Sequence, residues 1–159
     1  HIVFINSFNN FLPSTKKRNL IYRSLKRMEK KIMLFEAEVM LKEFICRSFL
    51  PNNMTINFQN IFYKNLGGLN NNLLLNDLKK LYTDKNSLKS FEKNCNVIVI
   101  NSKNDLILDQ DSSGNFIELL NKTLTKKPTV IELANQGHCL ANLNFYQIIK
   151  STLHNKYEK

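Results

Sequence analysis

Val97-Ile98-Val99-Ile100 empties into Asn101-Ser102-Lys103-Asn104-Asp105, and Thr129-Val130-Ile131-Glu132-Leu133 empties into Asn135-Gln136-Gly137-His138. Short runs rich in β-branched residues, each followed at once by a polar loop, predict two strands. Residues 112–124 between them carry a helical pattern, and strand, helix and strand in succession predict a parallel α/β unit. Asp105 and His138 then stand just beyond the C-terminal ends of successive strands. Open α/β sheets gather their chemistry at that edge.

Working outward, Ile2-Val3-Phe4-Ile5 reads as a buried strand over residues 2–6, followed by a loop from Ser7 to Pro13. Ser14 or Thr15 is a suitable N-cap for a long helical pattern. Ile21, Leu25, Met28, Ile32, Phe35 and Val39 recur at alternating steps of four and three, which is one face of a helix. The pattern continues through Phe44, Ile45 and Phe49 to Pro51, as two helices whose break the spacing does not place. Residues 56–65 form another amphipathic segment, closed by Gly67-Gly68. Leu69 to Tyr82 is helical, with Leu74, Leu78 and Leu81 on one side, and Ser87 to Lys93 is a polar connector. A closing helix over residues 142–155 carries Leu143, Tyr146, Ile149 and Leu153. The helical block at 14–82 interrupts the strands and reads as a cap. The expected organisation is a core strand and loop at 1–13, a helical cap and return connector at 14–93, and the remaining core at 94–159.

The chain's 159 residues suit one domain, and an apolar fraction of 43% with only 4 Gly and 3 Pro is that of a globular protein. No apolar run approaches the roughly 20 residues of a membrane span, and no signal-peptide pattern is visible. Three scattered cysteines, Cys46, Cys95 and Cys139, fit a reducing compartment, so a cytoplasmic protein is expected. The abrupt start at His1 on a strand suggests that an N-terminal part is missing. A net charge of +10 and a pI near 9.6 favour anionic partners. Much of that charge is crowded into residues 16–31, either as a solvated face or as a docking surface for an acidic partner.

The segment from Val97 to Leu108 resembles the acid-bearing segment of α/β-hydrolases, and Asn135-Gln-Gly-His-Cys-Leu140 resembles their histidine loop. Acid before histidine is also the family's order for the last two triad members. Ile2–Ser7 is similar to the strand after the family's nucleophile helix, and the block at 14–82 sits where the family inserts its cap. Asn101, where Gly is usual, and Cys139-Leu140, where small residues or Pro are frequent, depart from the pattern. The resemblance implies a three-layer α/β-hydrolase sheet, mostly parallel, seen here as its C-terminal portion with an inserted helical cap. It implies a serine carboxylesterase with His138 as general base and acid and Asp105 as its orienting carboxylate, needing no metal or organic cofactor. The cap helices would wall an apolar acyl pocket lined by Ser7, Phe8, Phe11, Phe35 and Phe44. Cap length and Leu66-Gly-Gly-Leu69 are similar to the pimeloyl-[acyl-carrier protein] methyl ester esterases of biotin synthesis. That likeness implies a small acyl ester presented on an acidic acyl carrier protein, with Arg23, Arg27, Lys42 and Arg47 as candidate contacts.

The serine itself is absent: no Gly-x-Ser-x-Gly elbow occurs. Ser7 follows a strand, but Ile5 and Asn9 flank it where a tight elbow needs small residues. Cys139 adjoins His138, and neighbours in an extended loop point apart. His154 on the closing helix reads as solvated. Asp109-Gln-Asp-Ser-Ser-Gly mimics the start of a calcium loop, yet the twelfth position is Leu120, so a polar turn is expected. The cysteines and histidines lack zinc spacing. A different class remains open: a non-catalytic basic module for an acidic protein or nucleic acid on a degenerate hydrolase scaffold. No nucleic-acid recognition motif appears. An upstream Gly-x-Ser-x-Gly after a strand would separate the two.

Overall fold

The computed structural model describes residues 2–12, 17–83, 93–141, 143–144 and 147–151. It is a mixed α/β structure around a parallel sheet of β1 (Ile2–Ile5), β2 (Val97–Ser102) and β3 (Thr129–Leu133), in the order β1-β2-β3. Ile2 pairs with Val97 and Ile5 with Ile100, while Ile98 pairs with Thr129 and Ser102 with Leu133. Val97 to Ile100 are all buried, as expected for a central parallel strand covered on both faces. β1 is only half-buried, against the expectation of a buried strand: among the described residues it has a partner on one side alone, and Ile5 is 41% exposed.

Alternation along the strands builds two cores. Val97 and Val99, with Ile2 and Phe4, pack on Phe116, Leu120 and Leu124 of the segment formed by α5 (Gln110–Thr123) and its C-cap. Phe4 and Phe116 meet edge to face at 5.0 Å. On the opposite face Ile98 and Ile100 pack with Leu140, Leu143, Ile148 and Ile149. Of the closing helix expected over 142–155, residues 147–151 are helical; Tyr146, Leu153 and His154 lie outside the described residues.

Between β1 and β2 the chain forms α1 (Arg18–Met33), α2 (Ala37–Phe49), α3 (Ile56–Asn65) and α4 (Asn71–Thr83). The proposed caps Ser14 and Thr15, and most of the 87–93 connector, lie outside the described residues. Leu25, Ile32, Met40 and Leu78 form a further core with Phe11, Leu12 and Leu108, which attaches the helices to the loops beyond β1 and β2. α1 and α4 are also clasped by Lys26, which donates to Glu29 at 2.6 Å and to the Tyr82 hydroxyl at 3.2 Å. That clasp draws the Glu29 carboxyl below its ordinary value and raises the Lys26 ammonium, in each case chiefly through their mutual hydrogen bond.

The periodic stripe fails at one place. Phe35 is not on a buried helical face but in the turn between α1 and α2, at φ 62° and 88% exposed. The turn resets the helical phase, so Val39 also faces outward, and α2 buries Ala37, Met40, Ser48 and Phe49 instead.

Candidate active site

Asp105 leaves the sheet three residues past the end of β2, where it folds into a tight turn. Its Oδ1 accepts from the backbone N–H groups of Ile107 at 2.7 Å and Leu108 at 2.9 Å. Its Oδ2 lies 2.7 Å from His138 Nδ1. The Asp105 side chain is only 5% exposed, so those donors satisfy a carboxylate largely withdrawn from water. The carboxylate can only accept, so it selects the Nδ1–H tautomer of a neutral His138 and leaves Nε2 as an acceptor. The His138 side chain is 28% exposed, open enough to meet an incoming group. A fixed carboxylate behind an imidazole with a free acceptor can take a proton from a hydroxyl brought to Nε2 and return it to a leaving group.

The histidine loop is held by backbone packing and by three asparagines. Gly137 lies so close to the end of α2 that an added Cβ would meet Ser48 O at 2.6 Å and Phe49 C at 2.9 Å, with Leu50 O closer still. Cys139 N–H donates to that same Ser48 carbonyl at 2.8 Å. Asn52 donates to Asn135 O at 2.8 Å, and Asn104 accepts from Asn135 N–H at 3.0 Å. Asn6 links the ends of two strands to the loop. Its Nδ2 donates to His138 O at 2.7 Å and to Ser102 Oγ at 3.1 Å, while its Oδ1 accepts from Ser102 N–H at 2.8 Å. Asn6 is buried at φ 42°, a backbone region that asparagine enters more readily than most side chains.

His138 borders an apolar cavity of about 520 Å³ walled by α1, α2 and α4, a size suited to a small organic ligand. Phe8, Phe11 and Phe44 line it, with Leu25, Ile32 and Met40. Two expected linings do not. Phe35 is out in solvent for the reason given above, and Ser7 turns back so that its hydroxyl donates to Ile5 O at 3.2 Å. A second, polar cavity of about 450 Å³ is lined by Asp105 and Asn101 from the sheet edge and by Ser113 of α5. Asn101 Oδ1 and Ser113 Oγ are buried and find no hydrogen-bond partner among the described residues.

The four candidate partner-binding cations do not form one group. Arg47 lines the apolar cavity beside α2, and Arg23 and Arg27 are exposed on α1. Lys42 is engaged within its own neighbourhood, 2.6 Å from Glu38 and 5.1 Å above the Tyr63 ring. Asp109, the first acid of the calcium-like stretch, caps α5 by accepting from Asp111 N–H at 3.0 Å and pairs with Lys17 at 3.0 Å. The helix therefore starts at Gln110, inside the stretch expected to be a turn.

Asn6 and Gly137 are the residues that reading the sequence undervalued. Asparagine directly after a strand signals a tolerated left-handed residue, and glycine before a candidate histidine signals close approach. No protein-family model matches the chain, and no curated protein sequence matches it significantly.

Proposed function

We propose that this chain supplies the histidine–acid pair and the acyl pocket of a serine carboxylesterase of α/β-hydrolase type. The observation that carries the reading is the 2.7 Å contact between Asp105 and His138 at the C-terminal edge of a parallel sheet, beside an apolar cavity. The nucleophilic serine and the oxyanion hole lie outside these 159 residues on this reading. His138 Nε2 takes the serine proton as Oγ attacks the ester carbonyl carbon, and Asp105 stabilises the resulting imidazolium. The imidazolium then protonates the departing alkoxide as the carbon–oxygen bond breaks, leaving an acyl-serine. A water repeats the sequence: it gives its proton to Nε2, forms the new bond to the acyl carbon, and the serine leaves with that proton.

The apolar walls favour an acyl chain over a polar substrate, and Phe8, Phe11 and Phe44 supply aromatic contact area for it. Arg47 in the same wall supports the finer proposal of an ester delivered on an acidic carrier protein, because it offers a cation beside the acyl pocket. Labelling of the full-length natural protein with a fluorophosphonate, which captures activated serines, tests the reading. One serine should label, and His138→Ala should abolish the labelling while the circular dichroism is unchanged. A protein that labels nowhere, or labels equally without His138, would remove the proposal.

A further inference from the structure

The outward face of α1 carries cations that no described residue neutralises. Arg23, Arg27, Lys30 and Leu34 follow at steps of four, three and four, so they share one face, opposite Leu25, Met28 and Ile32. Among the described residues Arg18, Arg23, Arg27 and Lys30 make no ion pair, whereas Lys17, Lys26 and Lys31 are paired with Asp109, Glu29 and Glu43. Residues 18–36 hold six cations against two carboxylates, Glu29 and Glu36, and Glu29 is already engaged by Lys26.

The end of this face is apolar. Met33 is 59%, Leu34 57% and Phe35 88% exposed, and Val39 on the next helix is 54% exposed. Scattered surface apolar residues are ordinary, but three consecutive ones at the tip of a helix pair call for a partner. Phe35 is displayed by its backbone: it stands at φ 62°, uncommon for a bulky side chain, fixed by bonds from its N–H to Ile32 O and from Glu36 N–H to Lys31 O. Leu20, 64% exposed at the other end of α1, borders the apolar cavity.

We propose that this face of α1 and the turn at 33–35 dock on an anionic lipid surface. Arg23, Arg27 and Lys30 would meet headgroup phosphates, and Met33, Leu34 and Phe35 would enter the acyl boundary beneath them. A nucleic acid would engage the cations and leave the apolar turn in water. A purely apolar partner would cover the turn and leave the arginines unpaired. An anionic bilayer accommodates both, with α1 lying along the surface and its Phe35 end immersed. Lipid docking of this kind involves none of the ester chemistry and is independent of it.

These 159 residues contain no tryptophan, so Phe35→Trp places an indole at the proposed point of entry, read against the same protein without the substitution. With the full chain carrying that substitution, phosphatidylglycerol-containing vesicles should shift the indole emission to the blue and sediment the protein. Pure phosphatidylcholine vesicles should do neither. Arg23→Gln and Arg27→Gln should each lower partitioning about fivefold, and Phe35→Ser roughly tenfold, with the circular dichroism unchanged. High salt should release the protein. Folded Phe35→Trp protein whose emission stays unshifted on anionic vesicles overturns the proposal. So does a shift that appears without lipid as the protein self-associates, or a soluble polyanion that binds as tightly as the vesicles do and leaves the emission unmoved.

Discussion

Replacing Gly137 by alanine should uncouple His138 from Asp105 without touching either side chain. The new Cβ would stand 2.6 Å from Ser48 O and 2.9 Å from Phe49 C, both backbone atoms at the end of a packed helix that cannot swing aside. Restoring an ordinary contact of roughly 3.5 Å to these atoms and to Leu50 O, which is nearer still, needs more than about 1 Å of movement, and the loop is the softer partner. The same displacement stretches the 2.7 Å contact between Asp105 and His138 to at least about 3.7 Å, beyond hydrogen-bonding range. Overpacking costs about 1–3 kcal/mol, and a carboxylate that loses one of its donors about 1.5–3 more. Allowing for partial relaxation, about 2–4 kcal/mol should be lost, lowering Tm by roughly 6–12 °C. Gly114 in α5 is the control: a Cβ there meets nothing within 4 Å, so Gly114→Ala should raise stability by about 0.5–1 kcal/mol. Thermal unfolding followed by circular dichroism gives the stability, and nitrogen-15 spectra of the imidazole report which ring nitrogen holds the proton. A Gly137→Ala protein that melts with the wild type and keeps the Nδ1–H tautomer would refute the close-packing argument.

Asn6→Asp keeps an oxygen for Ser102 N–H but loses the amide donor to His138 O, and adds a buried charge. It should cost about 2–4 kcal/mol and broaden the His138 ring signals, whereas Ser7→Ala, which removes only a bond back to Ile5 O, should change stability by less than about 0.5 kcal/mol. Equal effects of the two would count against Asn6 as the anchor of the loop. Glu29 gives an acid-side pH dependence. Its folded carboxyl lies below the ordinary 4.5, so the clasp's contribution is present above that value and lost as pH falls through the lower folded one. Glu29→Gln should flatten that limb of a Tm-against-pH curve, and a variant that follows the wild type down to low pH would show that the clasp contributes nothing.

The strands were legible because β-branched runs ending in polar loops have few other readings. β3 matches its expected span, whereas β2 runs on through Asn101 and Ser102, two residues expected in the loop. The helices were legible from apolar spacing, but spacing is blind to a turn that preserves the count. The stripe through Ile32, Phe35 and Val39 runs across the α1–α2 junction with an unbroken interval, while the backbone reverses beneath it. Asp105 and His138 could be singled out because strand ends are recognisable from one sequence. Their distance could not, since it depends on contacts between segments far apart: Gly137 against the end of α2, and Asn6 against Ser102 and His138. Ser7 draws attention because it follows a strand, yet the neighbouring amide of Asn6 does the positioning. A hydroxyl suggests chemistry to the eye, whereas Asn6 acts only through bonds to residues 96 and 132 positions away.

The central claim is that His138 moves a proton during ester hydrolysis. Turnover of short p-nitrophenyl esters by the full-length natural protein, wild type against His138→Ala, tests it most directly. Loss of the imidazole should lower kcat by about 10³-fold or more while Tm changes by only a few degrees. Hydrolysis by the folded His138→Ala protein within about tenfold of the wild type would contradict the assignment.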